Sequence, residues 1–123
     1  MIYNKDEYKV KFYQDVKGGI PVIEYLENIT KKEKAKILKY IEFLRNSKGY
    51  LDEPYSKHIK GKIRELRVDF SNNRHRIFYF TFIRKTIILL HAFLKKTSKT
   101  PKKEIEKAEE NLKDVINNQK LYE

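Results

Sequence analysis

The chain has no cysteine, no tryptophan, and only four glycines and three prolines among its 123 residues. Without cysteine it has no disulfide, no thiolate metal site and no cysteine nucleophile. Its histidines (His58, His75 and His91) are scattered and lack the spacing of a metal-binding motif. No apolar run reaches the roughly 18 residues of a membrane-spanning helix, and the charged first residues lack a signal peptide's apolar core. We therefore expect a cytoplasmic protein that needs no metal or other cofactor and does not bind membranes.

Positive charge, in contrast, is plentiful and unevenly distributed. The formal net charge is +11, and residues 51–100 hold twelve Lys and Arg against four Asp and Glu. Such a charge favours an anionic partner, which is a nucleic acid, an acidic protein or an anionic membrane surface. A generally lysine-rich composition is the alternative explanation, but it does not account for the concentration of charge in one segment.

Hydrophobic periodicity predicts one α+β domain over residues 1–123, with the element order β-α-α-β-β-β-α. Thr30 and Glu33 have the spacing of a capping box at the start of the second helix, and Gly49 is expected to end it. We expect a small, mostly antiparallel sheet with the helices packed on one face, and a loop before the second strand. The predicted strands are 8–13, 63–70, 74–83 and 86–94, the helices are 20–29, 30–46 and 101–117, and the loop is 50–62.

Strand alternation places charged side chains on one face of the predicted sheet. In the strand 63–70 that face carries Glu65 and Arg67, and in the next strand it carries Arg76. The strand with Arg76 is largely apolar on both faces and is expected to be central. A charged arginine there is costly unless it is paired or borders a ligand groove. The simpler alternative is a cross-strand salt bridge of Glu65 with Arg67 or Arg76 on a solvated face.

A groove lined by such cations is suited to a phosphodiester, because cations stabilise the additional charge of its transition state. Lys95 and Lys96 end the last strand beside this groove. RNA carries its own nucleophile, the 2′-hydroxyl, so the protein has to supply a base, cations and an acid. His91, Glu65 and Lys96 are the titratable candidates for the proton transfers, although His91 equally fits a hydrogen-bonded core histidine.

Segments 19–26, 57–67, 74–80 and 89–101 resemble the HigB-like, phage-derived branch of the RelE toxin superfamily. The resemblance lies in Glu-Leu-Arg, Arg-Ile-Phe-Tyr and His-x-Phe-x-Lys-Lys-Thr-x-Lys-Thr-Pro, in this order, and it covers about residues 8–115. It implies a RelE-like fold and a ribosome-dependent endoribonuclease that cleaves mRNA in the ribosomal A site. It also implies a cognate helix-turn-helix antitoxin that neutralises the toxin.

By these motifs, Arg67, Arg76 and Lys96 correspond to the basic positions that bind the scissile phosphate or stabilise the transition state in RelE-type toxins. The sequence departs from RelE at two positions. Glu65 occupies the place of a catalytic lysine, and Lys102 stands where RelE has a tyrosine. The resemblance therefore supports the phosphate-binding cations more strongly than any particular base or acid.

Further basic residues are expected to contact RNA without taking part in the chemistry. Lysines of the segment 57–62 are assigned to rRNA or mRNA backbone, since a lysine binds phosphate as an unspecific point charge. His58 and His75 are interpreted as RNA-contacting or merely exposed. The predicted RNA-binding residues are Lys57, Lys60, Lys62, Arg64, Arg74, Lys95 and Lys99.

Two other functions fit the same fold. The first is a non-catalytic binding toxin such as the gyrase-inhibiting ParE toxins, which lack the basic catalytic set that Arg67, Arg76 and Lys96 would form. The second is an inactive, prophage-derived RNA-binding domain, because a fold alone does not determine function.

Overall fold

A five-stranded mixed sheet with helices on both faces forms the described part of the chain, which is residues 7–82 and 85–123 of a computed structural model. Residue 83, which the predicted third strand includes, lies outside these ranges. The elements in chain order are β1 (Lys9–Phe12), α1 (Pro21–Glu27), α2 (Lys31–Asn46), β2 (Ser56–Lys60), β3 (Ile63–Phe70), β4 (Asn73–Phe82), β5 (Thr86–Lys95) and α3 (Lys102–Asn117), followed by a short 3₁₀ turn (Gln119–Tyr122).

The strand order across the sheet is β1-β5-β4-β3-β2. β1 pairs with β5 in parallel, and the other three neighbouring pairs are antiparallel. The prediction of an α+β chain with a mostly antiparallel sheet is confirmed, and so is the central position of β4. The architecture is compatible with a RelE-like fold.

The predicted loop over residues 50–62 is wrong, because β2 lies within it. β2 pairs with β3 through its backbone, with Ser56 opposite Leu66 and Lys57 opposite Glu65. Only its first side chain is buried, and the others are exposed or partly exposed. The strand has no apolar alternation for this reason, and hydrophobic periodicity does not reveal it. Its lysines are typical of an edge strand that resists pairing with further chains.

The expectation that the helices pack on one face is also wrong. α1 and α2 cover a core that includes Leu66, Ile77 and Tyr79, whereas α3 covers a second core with Phe78 and Leu90. β4 and β5 are apolar on both faces, so a single layer of helices would leave one of these faces in water. The result is a three-layer arrangement with α1 and α2 on one side of the sheet and α3 on the other.

The ends of α2 follow the sequence signals. Thr30 Oγ1 accepts a hydrogen bond from the Glu33 N–H at 3.1 Å and donates one to Glu33 Oε1 at 2.8 Å, so the capping box is confirmed in part. After the helix, the Gly49 N–H donates to the Leu44 carbonyl at 2.9 Å, and the φ of Gly49 is +82°. A Cβ at this glycine would lie 2.5 Å from Thr81 Oγ1, so both the backbone angle and the close approach of β4 require glycine.

Candidate functional site

Six charged residues lie together on the α3 face of the sheet, at the end where β4 begins and β5 ends. Arg67 of β3 is opposite Arg76 of β4, and Arg74 is opposite both Asp69 of β3 and Lys95 of β5. Side-chain alternation along the strands places them on the same face as Glu65. We call this group the cation cluster; its members are Glu65, Arg67, Asp69, Arg74, Arg76 and Lys95.

Glu65 is the buried anion at the centre of the cation cluster. Its side chain has no exposed surface, and Oε1 accepts a hydrogen bond from Arg67 Nε at 2.8 Å. Arg76 Nε lies 3.9 Å from the same oxygen, which is an ion-pair distance and too long for a hydrogen bond. Within the described residues, Glu65 Oε2 and Arg76 Nε have no hydrogen-bond partner. A buried carboxylate and guanidinium with unused polar atoms are costly unless another group satisfies them.

Arg76 is held in a fixed position although it is charged and only 5% exposed. Its Nη1 donates to Asp69 Oδ1 at 2.7 Å and to the His75 carbonyl at 3.0 Å. Glu65 therefore pairs with both arginines, with Arg67 within β3 and with Arg76 across the strands, but around Glu65 and Arg76 the face is not solvated. The cluster opens to solvent through Asp69, whose side chain is 62% exposed, and Arg67, which is 24% exposed.

Lys95 is the lysine that belongs to the cation cluster. Burial lowers the pKa of its ammonium group, Glu65 raises that pKa, and Arg76, Arg67 and Arg74 lower it. β5 ends at Lys95, and Lys96 follows the strand as an exposed residue. Sequence reasoning named Lys96 as catalytic and Lys95 as an RNA contact; the structure brings Lys95 to Arg67 and Arg76.

His91 lies on the α3 face but contacts α3 rather than the cations. Its Nε2 is 3.4 Å from Glu104 Oε1 in the first turn of α3, and its ring stacks on Phe93 at a centroid distance of 5.9 Å. Burial lowers the pKa of His91, and Glu104 raises it in part. This packing fits the second interpretation from the sequence, that His91 is a hydrogen-bonded core histidine rather than a base.

The residues predicted to bind RNA are dispersed. Arg74 and Lys95 belong to the cation cluster, whereas Arg64 lies on the opposite face, where its guanidinium is 4.7 Å from the centre of the Tyr50 ring. Lys60 forms an exposed ion pair with Glu109 at 3.2 Å. The remaining members are exposed on β2, on the turn after it or on the segment after β5; they are Lys57, Lys62 and Lys99.

A second polar network lies behind the cation cluster, on the face of α1 and α2. His75 is 1% exposed, so its interpretation as exposed or RNA-contacting is wrong. Its Nε2 lies 2.5 Å from Glu33 Oε2, and its Nδ1 lies 2.6 Å from the Tyr25 hydroxyl. Asn73 Nδ2 donates to the same Glu33 oxygen at 3.0 Å. The signal was present in the sequence, because His75 alternates with Ile77 on the core face of β4.

The pKa values of this network follow from its hydrogen bonds. Hydrogen bonds from Thr30 and His75 lower the pKa of Glu33 to about 2, against the opposing effect of burial. Burial and the charge of Glu33 raise the pKa of Tyr25 to about 12. At neutral pH the network therefore contains an ionised Glu33 and a protonated Tyr25, which fasten α2 and α1 to the strand that carries Arg74 and Arg76.

Residues 7–82 and 85–123 contain neither a candidate metal-binding cluster nor a helix that could span a membrane. No group of three or more His, Cys, Asp or Glu residues in these ranges is placed to hold a metal ion. No helix in them is long and apolar enough to cross a membrane.

A comparison with protein-family models gives the class of this chain. A match over residues 24–113 places it in the RelE/ParE-like toxin superfamily, whose members are associated with toxin–antitoxin systems. Within that superfamily, the chain belongs to the family described as phage derived protein Gp49-like (DUF891). Membership implies an antitoxin as partner. A search of curated proteins found no match.

Proposed function

We propose that this chain is the toxin of a type II toxin–antitoxin system, in the HigB-like branch, and that it is a ribosome-dependent endoribonuclease. The observation that carries the proposal is the cation cluster, in which Arg67, Arg76 and Lys95 surround a buried carboxylate on a rigid sheet. Such a cluster offers more positive than negative charge at one fixed place, as a phosphodiester in its transition state requires.

In the proposed reaction the RNA supplies both the nucleophile and the leaving group. The 2′-hydroxyl gives its proton to a water molecule as its oxygen attacks the adjacent phosphorus, the bond to the 5′-oxygen breaks, and the products are a 2′,3′-cyclic phosphate and a 5′-hydroxyl. Arg67 and Arg76 hold the phosphate oxygens and stabilise the additional charge. Lys95 donates the proton that the departing 5′-oxygen takes up, since its lowered pKa favours release of that proton.

Glu65 acts in this proposal as a positioning residue. Its Oε1 already accepts the Arg67 hydrogen bond at 2.8 Å, and the side chain is fully buried. Its charge keeps two arginines and Lys95 close together, although these cations repel one another. The exposed Lys96 and Lys99 extend the cationic surface beyond the strand end, and Lys57 and Lys62 are suited to rRNA phosphates.

The test is to induce the wild type and the Arg76→Ala variant in cells and to map mRNA 5′ ends. Arg45→Ala is the matched control, because Arg45 lies on α2 and pairs with Glu42 and Glu7, away from the cluster. We expect new 5′ ends within translated codons for the wild type and the control, and none for Arg76→Ala.

Two results would contradict the proposal. Growth arrest without new mRNA ends, together with inhibition of purified gyrase, would establish the ParE-like alternative. Ribosome binding without growth arrest or cleavage would establish an inactive RNA-binding domain.

A further inference from the structure

A pocket of about 490 Å³ lies on the opposite face of the sheet from the cation cluster, where the α1–α2 hairpin meets the start of β4 and the end of β5. Its volume falls within the roughly 300–1,000 Å³ that is usual for small-molecule sites. The lining residues are Tyr25, Asn28, Ile29, Thr30, Glu33, Asn73, His75 and Leu94.

The lining of this pocket combines apolar walls with a few polar groups. Ile29, Leu94 and the ring of Tyr25 are suited to the faces of a flat heteroaromatic group. Asn28 Nδ2 donates to the Glu24 carbonyl at 2.7 Å, and Asn73 Nδ2 donates to Glu33 at 3.0 Å. Each bond fixes the orientation of an amide whose carbonyl oxygen has no partner within the described residues. Aromatic stacking and amide hydrogen bonds are the contacts by which proteins read unpaired bases.

The wall of the pocket is held rigid before any ligand binds. His75 bridges Tyr25 and Glu33 by contacts of 2.6 and 2.5 Å, so one face of the pocket is fixed to α1, α2 and β4 at once. A site whose side chains are already ordered binds with a smaller loss of conformational entropy.

The pocket and the cation cluster are formed by neighbouring residues of the same two strands. Asn73 and His75 line the pocket, whereas Arg74 between them belongs to the cluster. On β5, Leu94 lines the pocket and the next residue, Lys95, belongs to the cluster. A single strand of RNA held by the cations therefore needs only to pass around this end of the sheet to bring a flanking base to the pocket.

We propose that this pocket binds a nucleobase of single-stranded RNA that flanks the phosphate held by the cation cluster. The inference rests on the proposed function, because it takes the cluster to be the phosphate site. It assigns base preference to Asn28, Ile29, Asn73 and Leu94, which lie outside the cluster itself.

The test is a titration of the wild-type chain with the four nucleoside 5′-monophosphates, with ribose 5-phosphate as the probe that lacks a base. The methyl NMR signals of Ile29 and Leu94 report on the pocket. We expect at least one monophosphate to shift them, whereas ribose 5-phosphate leaves them in place. Equal shifts with ribose 5-phosphate, or a response of these methyls to purified antitoxin alone, would overturn the proposal.

Two variants test the same pocket by binding of a short RNA. Ile29→Trp fills the pocket, and Leu38→Trp is its control, because Leu38 is a 44% exposed residue of α2 outside the lining. We expect Ile29→Trp to weaken RNA binding by about tenfold, the size of one lost base-stacking contact, and Leu38→Trp to leave it unchanged. Asn28→Ala is expected to weaken binding about fivefold. Because Asn28 is exposed, this small substitution tests the pocket even if the large tryptophan of Ile29→Trp disrupts folding.

The outcomes separate this inference from the proposed function. A chain that binds monophosphates in the pocket but leaves mRNA intact would overturn the nuclease proposal alone. A chain that cleaves mRNA with unchanged base preference after Ile29→Trp and Asn28→Ala would overturn the pocket proposal alone.

Discussion

Arg67 donates a hydrogen bond from Nε to Glu65 Oε1 at 2.8 Å, and this bond joins neighbouring same-face residues of one strand. Because Glu65 is fully buried and Arg67 is partly exposed, the bond connects the interior of the sheet to the surface that RNA would meet. The position of the Arg67 guanidinium is therefore set by a residue that RNA does not contact in the proposed reaction.

Replacement of Glu65 by Gln tests whether Glu65 acts by holding Arg67 and Arg76 in place. The amide removes the negative charge that holds Arg67 and Arg76 together, and loss of a buried charged partner costs about 3–5 kcal/mol of unfolding free energy. We expect lower stability in chemical denaturation and a fall in kcat, while an RNA-bound sample regains part of the stability because phosphate replaces the carboxylate. A Glu65→Gln chain with wild-type stability and activity would contradict this role.

The two adjacent lysines offer a matched pair of variants. Lys95→Gln should lower the cleavage rate by about 100-fold or more, the usual contribution of a general acid, whereas Lys96→Gln should have a small effect. The cleavage activity of the wild type should fall as the pH rises, because Lys95 loses the proton that it donates. Since burial lowers the pKa of Lys95, this fall should begin below the ordinary lysine pKa of 10.5. Lys95→Arg should retain RNA binding and lose this alkaline decline. Equal losses for Lys95→Gln and Lys96→Gln would contradict the assignment.

The variant His91→Gln tests whether His91, a candidate general base from the sequence, takes part in the reaction. The ring stacks on Phe93 and faces Glu104, so we expect the variant to keep the cleavage rate within about threefold of the wild type and to lose about 1 kcal/mol of stability. Single-turnover cleavage and urea denaturation measure the two quantities. A 100-fold slower reaction would restore His91 as the proton acceptor.

The Glu33 network should give the fold a specific acid sensitivity. The folded-state pKa of Glu33 is lowered from 4.5 to about 2, so its contribution to stability is fully present above 4.5 and is lost as the pH falls through about 2. We expect Glu33→Gln to reduce stability by about 1–3 kcal/mol at pH 7 and to reduce it less at pH 2.5. Thermal unfolding at both pH values measures the difference, and an equal loss at both would show that the charge of Glu33 has no part in it.

The elements that could be predicted from sequence are those marked by residues within the element itself, such as apolar alternation or a helix-capping residue. The apolar alternation of β3, β4 and β5 is strong, and it places Glu65, Arg67 and Arg76 on one face without any tertiary information. The capping residue Thr30 and the terminal Gly49 likewise act within a few residues of their own position. The assignment of catalytic roles to these residues stays a prediction.

The elements that could not be predicted depend on partners far away in the chain. β2 is a strand because β3 offers it backbone hydrogen bonds, and its own side chains carry no pattern. The two apolar faces of β4 are visible in the sequence, but which helix covers each face depends on tertiary packing, so the position of α3 on the far side was not predicted. His75 is buried because Glu33 and Tyr25, 42 and 50 residues away, supply its hydrogen bonds.

The parallel pairing of β1 with β5 has a consequence for how the protein is made. β5 joins β4 on one side and the first strand on the other, so the sheet stays incomplete until β5 has emerged during translation. Lys95 is the last residue of that strand, and Arg67 and Arg76 have no neighbouring lysine before it arrives. Since chains fold progressively as they leave the ribosome, the producing ribosome finishes most of this chain before Lys95 first joins Arg67 and Arg76. Under the proposed function, we therefore expect the nascent chain to lack cleavage activity until β5 has emerged.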